Sequence, residues 1–173
     1  MEQTENIRLV FQDTPEKFQA MAAEIVPPLL ALLRQRNELE REICARSLKL
    51  REEKAASGIS PYQSAPAEES LWEDYRRRYL ELVTPCCTEK LLKWGPAGSY
   101  GKPAKYDYLF GSPEPAVYFT MKSAKKAVVS TRNPISYDYR YRLTLRPFEG
   151  EWRVDGVECA FGGQEEWSAE HTL

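Results

Sequence analysis

Histidine is nearly absent from this chain: His171 is the only one. It stands third from the end, where chains tend to move, so it is a poor catalytic base. The four cysteines, Cys44, Cys86, Cys87 and Cys159, show no CxxC or Cys/His ligand spacing. They read as reduced thiols of the interior rather than as a zinc or redox centre. No excess of basic charge is present: the formal net charge is −2 and the pI about 5.7, which argues against a nucleic-acid partner. Long apolar runs are also missing. The longest, IVPPLLALL at 25–33, is too short to span a bilayer and contains two prolines. The opening MEQTEN lacks the basic-then-apolar order of a secretory signal, so a cytoplasmic location is expected.

A complete phosphate loop is lacking too. GPAGSYGK at 95–102 invites the comparison, but Pro96 stands where a glycine is required. Pro103 occupies the place of the magnesium-holding Ser or Thr, and no apolar strand precedes the segment. The better reading of residues 93–115 is an aromatic loop or short hairpin over a pocket mouth.

What is present begins with helices. DTPE at 13–16 signals a helix start, with Asp13 or Thr14 as cap and Pro15 in the first turn. Pro27 and Pro28 are expected to interrupt it. A second helix then follows to about Ala56, its stripe Leu29, Leu32, Leu33, Leu39, Ile43 and Leu50 broken by Arg36 and Arg46. That stripe suits a helix laid on its own domain better than a long coiled coil. IRLVF at 7–11 leaves strand and coil both open. SGISPYQSAP at 57–66 reads as a linker, and ESLWEDYRRRYLELV as a helix with Trp72, Tyr75, Tyr79, Leu82 and Val83 on one face. TEKLL at 88–92 reads as a short final helix.

Strands follow: 116–122, 127–132, 136–146 and 151–161. In the third, Tyr137, Tyr139, Tyr141, Leu143 and Leu145 alternate with Asp138, Arg140, Arg142, Thr144 and Arg146. The tyrosine side is expected to face the helices and the arginine side to be wet. A turn at Glu149-Gly150 places Leu145 opposite Val154. Beyond it the alternation slips by one, and Asp155-Gly156 is the natural place for a β-bulge. The fold class is therefore α+β, with helices packed on one face of a curled antiparallel sheet.

The aromatic helix, the TEKLL turn and the closing hairpin with Tyr141, Leu143, Gly150, Trp152, Val154 and Asp155 resemble the nuclear transport factor two-like fold over residues 68–161. That resemblance implies a curved antiparallel sheet wrapped by helices into a cone. It divides the chain into an N-terminal helical extension, 1–60, and the α+β domain, 61–173. Within the fold, Trp72, Tyr75, Tyr79, the Pro115-x-x-Tyr118 strand entry and the Trp152–Asp155 hairpin are most similar to immunity proteins of bacterial polymorphic toxin systems. The implied function is to bind and neutralise a cognate toxin C-terminal domain by occlusion, without catalysis, cofactor or metal, as a monomer or weak dimer.

The residues themselves point the same way. Asp107, Asp138 and Asp155 are the available bases. Asp107 reads as solvated in its loop, Asp138 as paired with Arg140 or Arg142, and Asp155 as a structural hydrogen-bond acceptor at the bulge. The segment 151–173 is acidic, against a basic 100–150. Glu158, Glu165, Glu166, Glu170 and Trp167 are accordingly candidate partner contacts, with Tyr100, Tyr106 and Tyr108 as a second aromatic surface. Two alternatives stand beside this: a small-molecule isomerase or hydrolase with a carboxylate and a tyrosine converging in the cone, and a scaffold dimerising through the 28–56 helix.

Overall fold

The structure, a computed structural model, describes residues 6–96, 98–133 and 138–173. Tyr137, assigned to the tyrosine face, lies outside the described residues. In chain order the elements are β1 (Arg8–Phe11), α1 (Glu16–Gln19), α2 (Ala22–Ala56), α3 (Pro66–Val83), α4 (Glu89–Leu92), α5 (Asp107–Phe110), β2 (Ala116–Ser123), β3 (Lys126–Asn133), β4 (Tyr139–Phe148), β5 (Glu151–Ala160) and β6 (Ser168–Glu170). The strands form one open sheet in the order β1-β2-β3-β4-β5-β6. This is an α+β arrangement. β1 pairs with β2 in parallel while the other neighbours are antiparallel, so the sheet is mixed rather than antiparallel throughout.

The two prolines do not split the first helical segment: α2 runs unbroken through Pro27 and Pro28. A proline inside a helix removes a hydrogen bond and crowds the carbonyl four residues back, at roughly 3 kcal/mol. Here both rings and the residues four before them, Ala23 and Glu24, are exposed, so the orphaned carbonyls face water. Ile25, Val26 and Leu29 lie on the opposite side and are buried, which favours continuing the helix. Thr14 does not cap α1 either. Its single hydroxyl proton lies between Gln12 O at 2.7 Å and Phe119 O at 3.1 Å, and its oxygen accepts the Met121 N–H at 3.0 Å, pinning the chain after β1 against β2.

α2 packs on α3, and its buried Leu29, Leu33 and Ile43 belong to the same hydrophobic cluster as Tyr75, Tyr79, Phe119, Val129, Leu143 and Val157. Residues on both sides of position 60 thus share one core. α3 opens with Pro66 in its first turn, and the Glu68 carboxylate reaches back to the Ala65 N–H at 2.9 Å.

The β4–β5 hairpin follows its sequence pattern closely. Glu149 and Gly150 both have positive φ, 51° and 83°, as a tight turn matching strand twist requires. Leu145 lies opposite Val154 and Thr144 opposite Gly156, so Asp155 is the extra residue of the bulge. The bulge keeps Val154 and Val157 both buried despite their odd spacing. The Asp155 carboxylate accepts from the Thr88 hydroxyl at 2.8 Å, from Arg146 at 3.1 Å and from Lys90 at 3.4 Å. Burial pushes this carboxyl up; those donors outweigh burial and leave it below the ordinary carboxylate range.

Candidate functional site

A cavity of about 760 Å³ opens between the 99–113 segment, α2, the start of β4 and the C-terminal residues, with Arg36, Glu40, Lys105, Tyr108, Tyr141 and Glu170 on its wall. The segment expected to cover a pocket mouth does line one. It holds a one-turn helix, α5, and not a hairpin.

Its shape is set by Glu40. Leu29, Leu33, Arg36, Glu40, Ile43 and Ser47 follow one another at helical steps of three and four, so a charged pair sits on the dry stripe of α2. Arg36 donates to the Glu40 carboxylate, and both side chains are almost fully buried, at 4% and 3% exposure. The same carboxylate accepts the backbone N–H groups of Gly101 and Lys105, the latter at 2.9 Å. The segment compared with a phosphate loop is thus an anion cradle whose anion is the chain's own glutamate. Gly101 is required there: a Cβ would stand 2.9 Å from Pro103 O and 3.1 Å from Glu40 Oε1.

Asp107 is not a solvated loop carboxylate. It accepts from Asn37 Nδ2 at 2.8 Å, from Arg41 Nε at 2.6 Å and from the Ala104 N–H at 3.0 Å, which starts α5. Asn37 in turn accepts the Tyr106 N–H at 2.9 Å. Tyr106 is fully buried and so presents no contact surface, contrary to expectation. Tyr100 is half-buried, stacked on Trp72 at 5.7 Å, with its hydroxyl on Ser47. Tyr108 stacks on Tyr141, which in turn stacks on Tyr139, so the tyrosine face does point to the helical side. Burial raises the Tyr108 hydroxyl and lifts that of Tyr141 to about 12.

The arginine face is less wet than expected. Arg142 binds Glu158, its cross-strand partner on β5, through two bonds of 2.7 and 2.8 Å. The guanidinium holds the Glu158 carboxyl below its ordinary range. Trp167 lies against Arg142 and Arg140 at 4.3 and 5.3 Å. Arg140 also reaches the carbonyls of Phe161 and Gln164. Asp138 pairs with Arg132, not with Arg140 or Arg142, because it precedes the first residue of β4 and has φ of 50°, outside the strand alternation. The acidic tail is therefore folded back. β6 pairs with β5, His171 rests on Trp94 at 4.1 Å, and the Leu173 N–H donates to the Tyr79 hydroxyl at 2.9 Å. Glu165 and Glu166 remain exposed, as do Phe161 and Trp94.

Lys105, in sequence only one member of the basic 100–150 stretch, turns inward. Its ammonium donates to Thr172 O at 2.9 Å and lies 3.8 Å from Glu170 and 5.1 Å from the Tyr141 ring. Burial lowers it to about 8, against the pull of Glu170. The unfolded lysine titrates near ~10.4. Between these values the unfolded chain binds more protons, so Lys105 adds stability as pH rises. The unfolding free energy of the wild type relative to Lys105→Met, from urea titrations, is expected to climb from pH 7 to pH 10 by up to about 3 kcal/mol. A flat difference would show that the ammonium is not desolvated. Cys87 and Tyr79, remote from the substitution, are common to both chains and cancel; Cys159, whose thiol feels the Lys105 charge, is replaced by serine in both chains.

The four cysteines are free thiols. Among the described residues, no group of three or more His, Cys, Asp or Glu side chains is placed to hold a metal ion. No described helix is long and apolar enough to cross a membrane. No family model, curated protein or solved structure matches this chain.

Proposed function

We propose that the protein is an immunity protein of nuclear transport factor two-like architecture that neutralises a cognate toxin domain by covering its active site or substrate surface. The observation that carries this reading is the state of the cavity carboxylates. Glu40, Asp107 and Glu170 are each engaged by a cation or by backbone N–H groups. A carboxylate acting as general base must be free to take a proton in the cavity, and these are committed to holding the 99–107 segment and the tail; the lowered amine of Lys105, another candidate base, is itself tied to Thr172 O and Glu170. The exterior offers another kind of chemistry. Glu165 and Glu166 follow the Phe161–Gln164 turn that Arg140 braces and are exposed, and Phe161 and Trp94 remain open beside the folded-back tail. Acidic groups next to exposed aromatics suit a basic partner protein, with charge speeding encounter and aromatics anchoring.

The scaffold alternative relied on the 28–56 helix as a dimer seam. Leu29, Leu32, Leu33, Leu39 and Ile43 of that helix are buried within their own molecule.

Co-expression with the toxin gene encoded beside this one is expected to restore growth; failure to do so refutes the reading. With the pair in hand, Glu165→Lys combined with Glu166→Lys is expected to slow association at low salt more than it raises dissociation. Unchanged association kinetics would remove the acidic turn from the interface.

A further inference from the structure

β1 stands at the rim of the sheet with β2 as its neighbour. Arg8 N–H donates to Pro115 O at 2.8 Å and Gln12 N–H to Phe119 O at 2.9 Å. Backbone groups alternate along a strand, so the N–H and C=O of Leu9 and Phe11 turn away from β2, toward the open edge. The side chains of these two residues share a face with Val117 and Phe119, both fully buried. Phe11 meets Phe119 edge-on at 6.1 Å. Yet Leu9 and Phe11 are themselves 37% and 40% exposed. The apolar face of the sheet thus runs out to a partly exposed rim that also carries outward backbone donors and acceptors. Such an edge invites another strand.

The order of residues says which strand fits. We propose that β1 is a self-pairing edge, where two copies join antiparallel about a twofold axis at Val10 and their sheets become continuous. In this register Leu9 and Phe11 of opposite copies exchange both backbone bonds, and symmetry repeats the exchange, giving four. On the apolar face, Leu9 packs against Phe11 of the second copy, twice. On the opposite face Val10 meets its own copy, and Arg8 lies across from Gln12. Moving the pair two residues toward the C-terminus would set Leu9 against the Asp13 carboxylate. Moving it the other way would set Arg8 against Val10. The segment Arg8–Gln12 is therefore complementary to its own reverse, which a foreign strand would have to match by design. The proposal is independent of the toxin reading, since the acidic turn and β1 are separate surfaces.

Light scattering on the full chain is expected to show a dimer that forms as concentration rises. Leu9→Lys, which charges the rim while leaving the β1–β2 bonds in place, is expected to weaken self-association at least tenfold. Circular dichroism and the thermal midpoint of that variant check that it is folded. The register is read by cross-linking. Val10 faces itself in a non-hydrogen-bonded pair, where Cα atoms are roughly 4.5 Å apart, within disulfide reach. Oxidised Val10→Cys is expected to run as a covalent dimer, while Leu9→Cys and the wild type, with its own four thiols, are not. A wild type that stays monomeric at millimolar concentration overturns the proposal. So does a dimer that survives Leu9→Lys, or one in which Val10→Cys fails to cross-link.

Discussion

Replacing Glu40 by alanine is expected to remove about 3–5 kcal/mol of stability, the usual result of stripping one partner from a buried ion pair. Three groups lose their acceptor at once: the Arg36 guanidinium and the N–H groups of Gly101 and Lys105. Arg36 is 4% exposed and its Nε already has no hydrogen-bond partner among the described residues, so the new vacancy leaves a cation with little to compensate it. The loss should also be local in a recognisable way. Residues 99–107 are shaped around that carboxylate, so their amide exchange is expected to accelerate beyond what the global change accounts for. The paired change Arg36→Met with Glu40→Leu separates charge from packing. It removes both ions, and replacing a buried pair by apolar groups of similar size is often near neutral. If the double variant is as unstable as Glu40→Ala, then the backbone bonds to residues 101 and 105, rather than the orphaned arginine, dominate the cost. If Glu40→Ala loses less than about 1 kcal/mol, the cradle is not an organising element. Urea midpoints provide the measurement.

The second large effect is expected at Phe119. It lies in the middle of β2 with no exposed surface, facing Val129 across β3 and Phe11 on β1. Truncation to alanine combines lost burial with a cavity, about 3–5 kcal/mol in total. For a protein of this size each kcal/mol shifts the thermal midpoint by roughly 2–4 °C, so a fall on the order of 10 °C is expected. Thr14 and Gln12 both bond to the Phe119 carbonyl. The alanine keeps that backbone carbonyl, but Phe11 loses its edge-on ring partner, so the variant should loosen β1 first, and dimer formation should weaken with it. A midpoint unchanged within error would show that the core does not depend on this ring.

The β4–β5 hairpin could be read from sequence because its information is local. A period of two, a Glu-Gly turn and one slip in alternation fix the register and the bulge within about two dozen residues. α3 and α4 were legible for the same reason. The continuity of α2 was not, because the local cost of Pro27 and Pro28 is visible in sequence whereas the burial of Ile25, Val26 and Leu29 that outweighs it is tertiary. The parallel pairing of β1 had no local signal, since its partner strand lies beyond the whole helical half. The cavity cluster was only half visible. Arg36 stood out as a break in an apolar stripe, but its meaning depends on Glu40 meeting residues 101 and 105, some sixty positions away. Tyr106 was misplaced because an aromatic loop looks the same in sequence whether its rings turn out or in.

The link between Thr14 and Phe119 closes a loop of 105 residues. Closing so long a loop is entropically expensive, and pairings between distant segments generally slow folding. β1 should be the last strand to dock during refolding and the first to detach under native conditions. A chain newly released from the ribosome would thus pass through a stage with the β2 edge bare, and mutations that slow β1 docking would act on aggregation yield before they act on the folded protein.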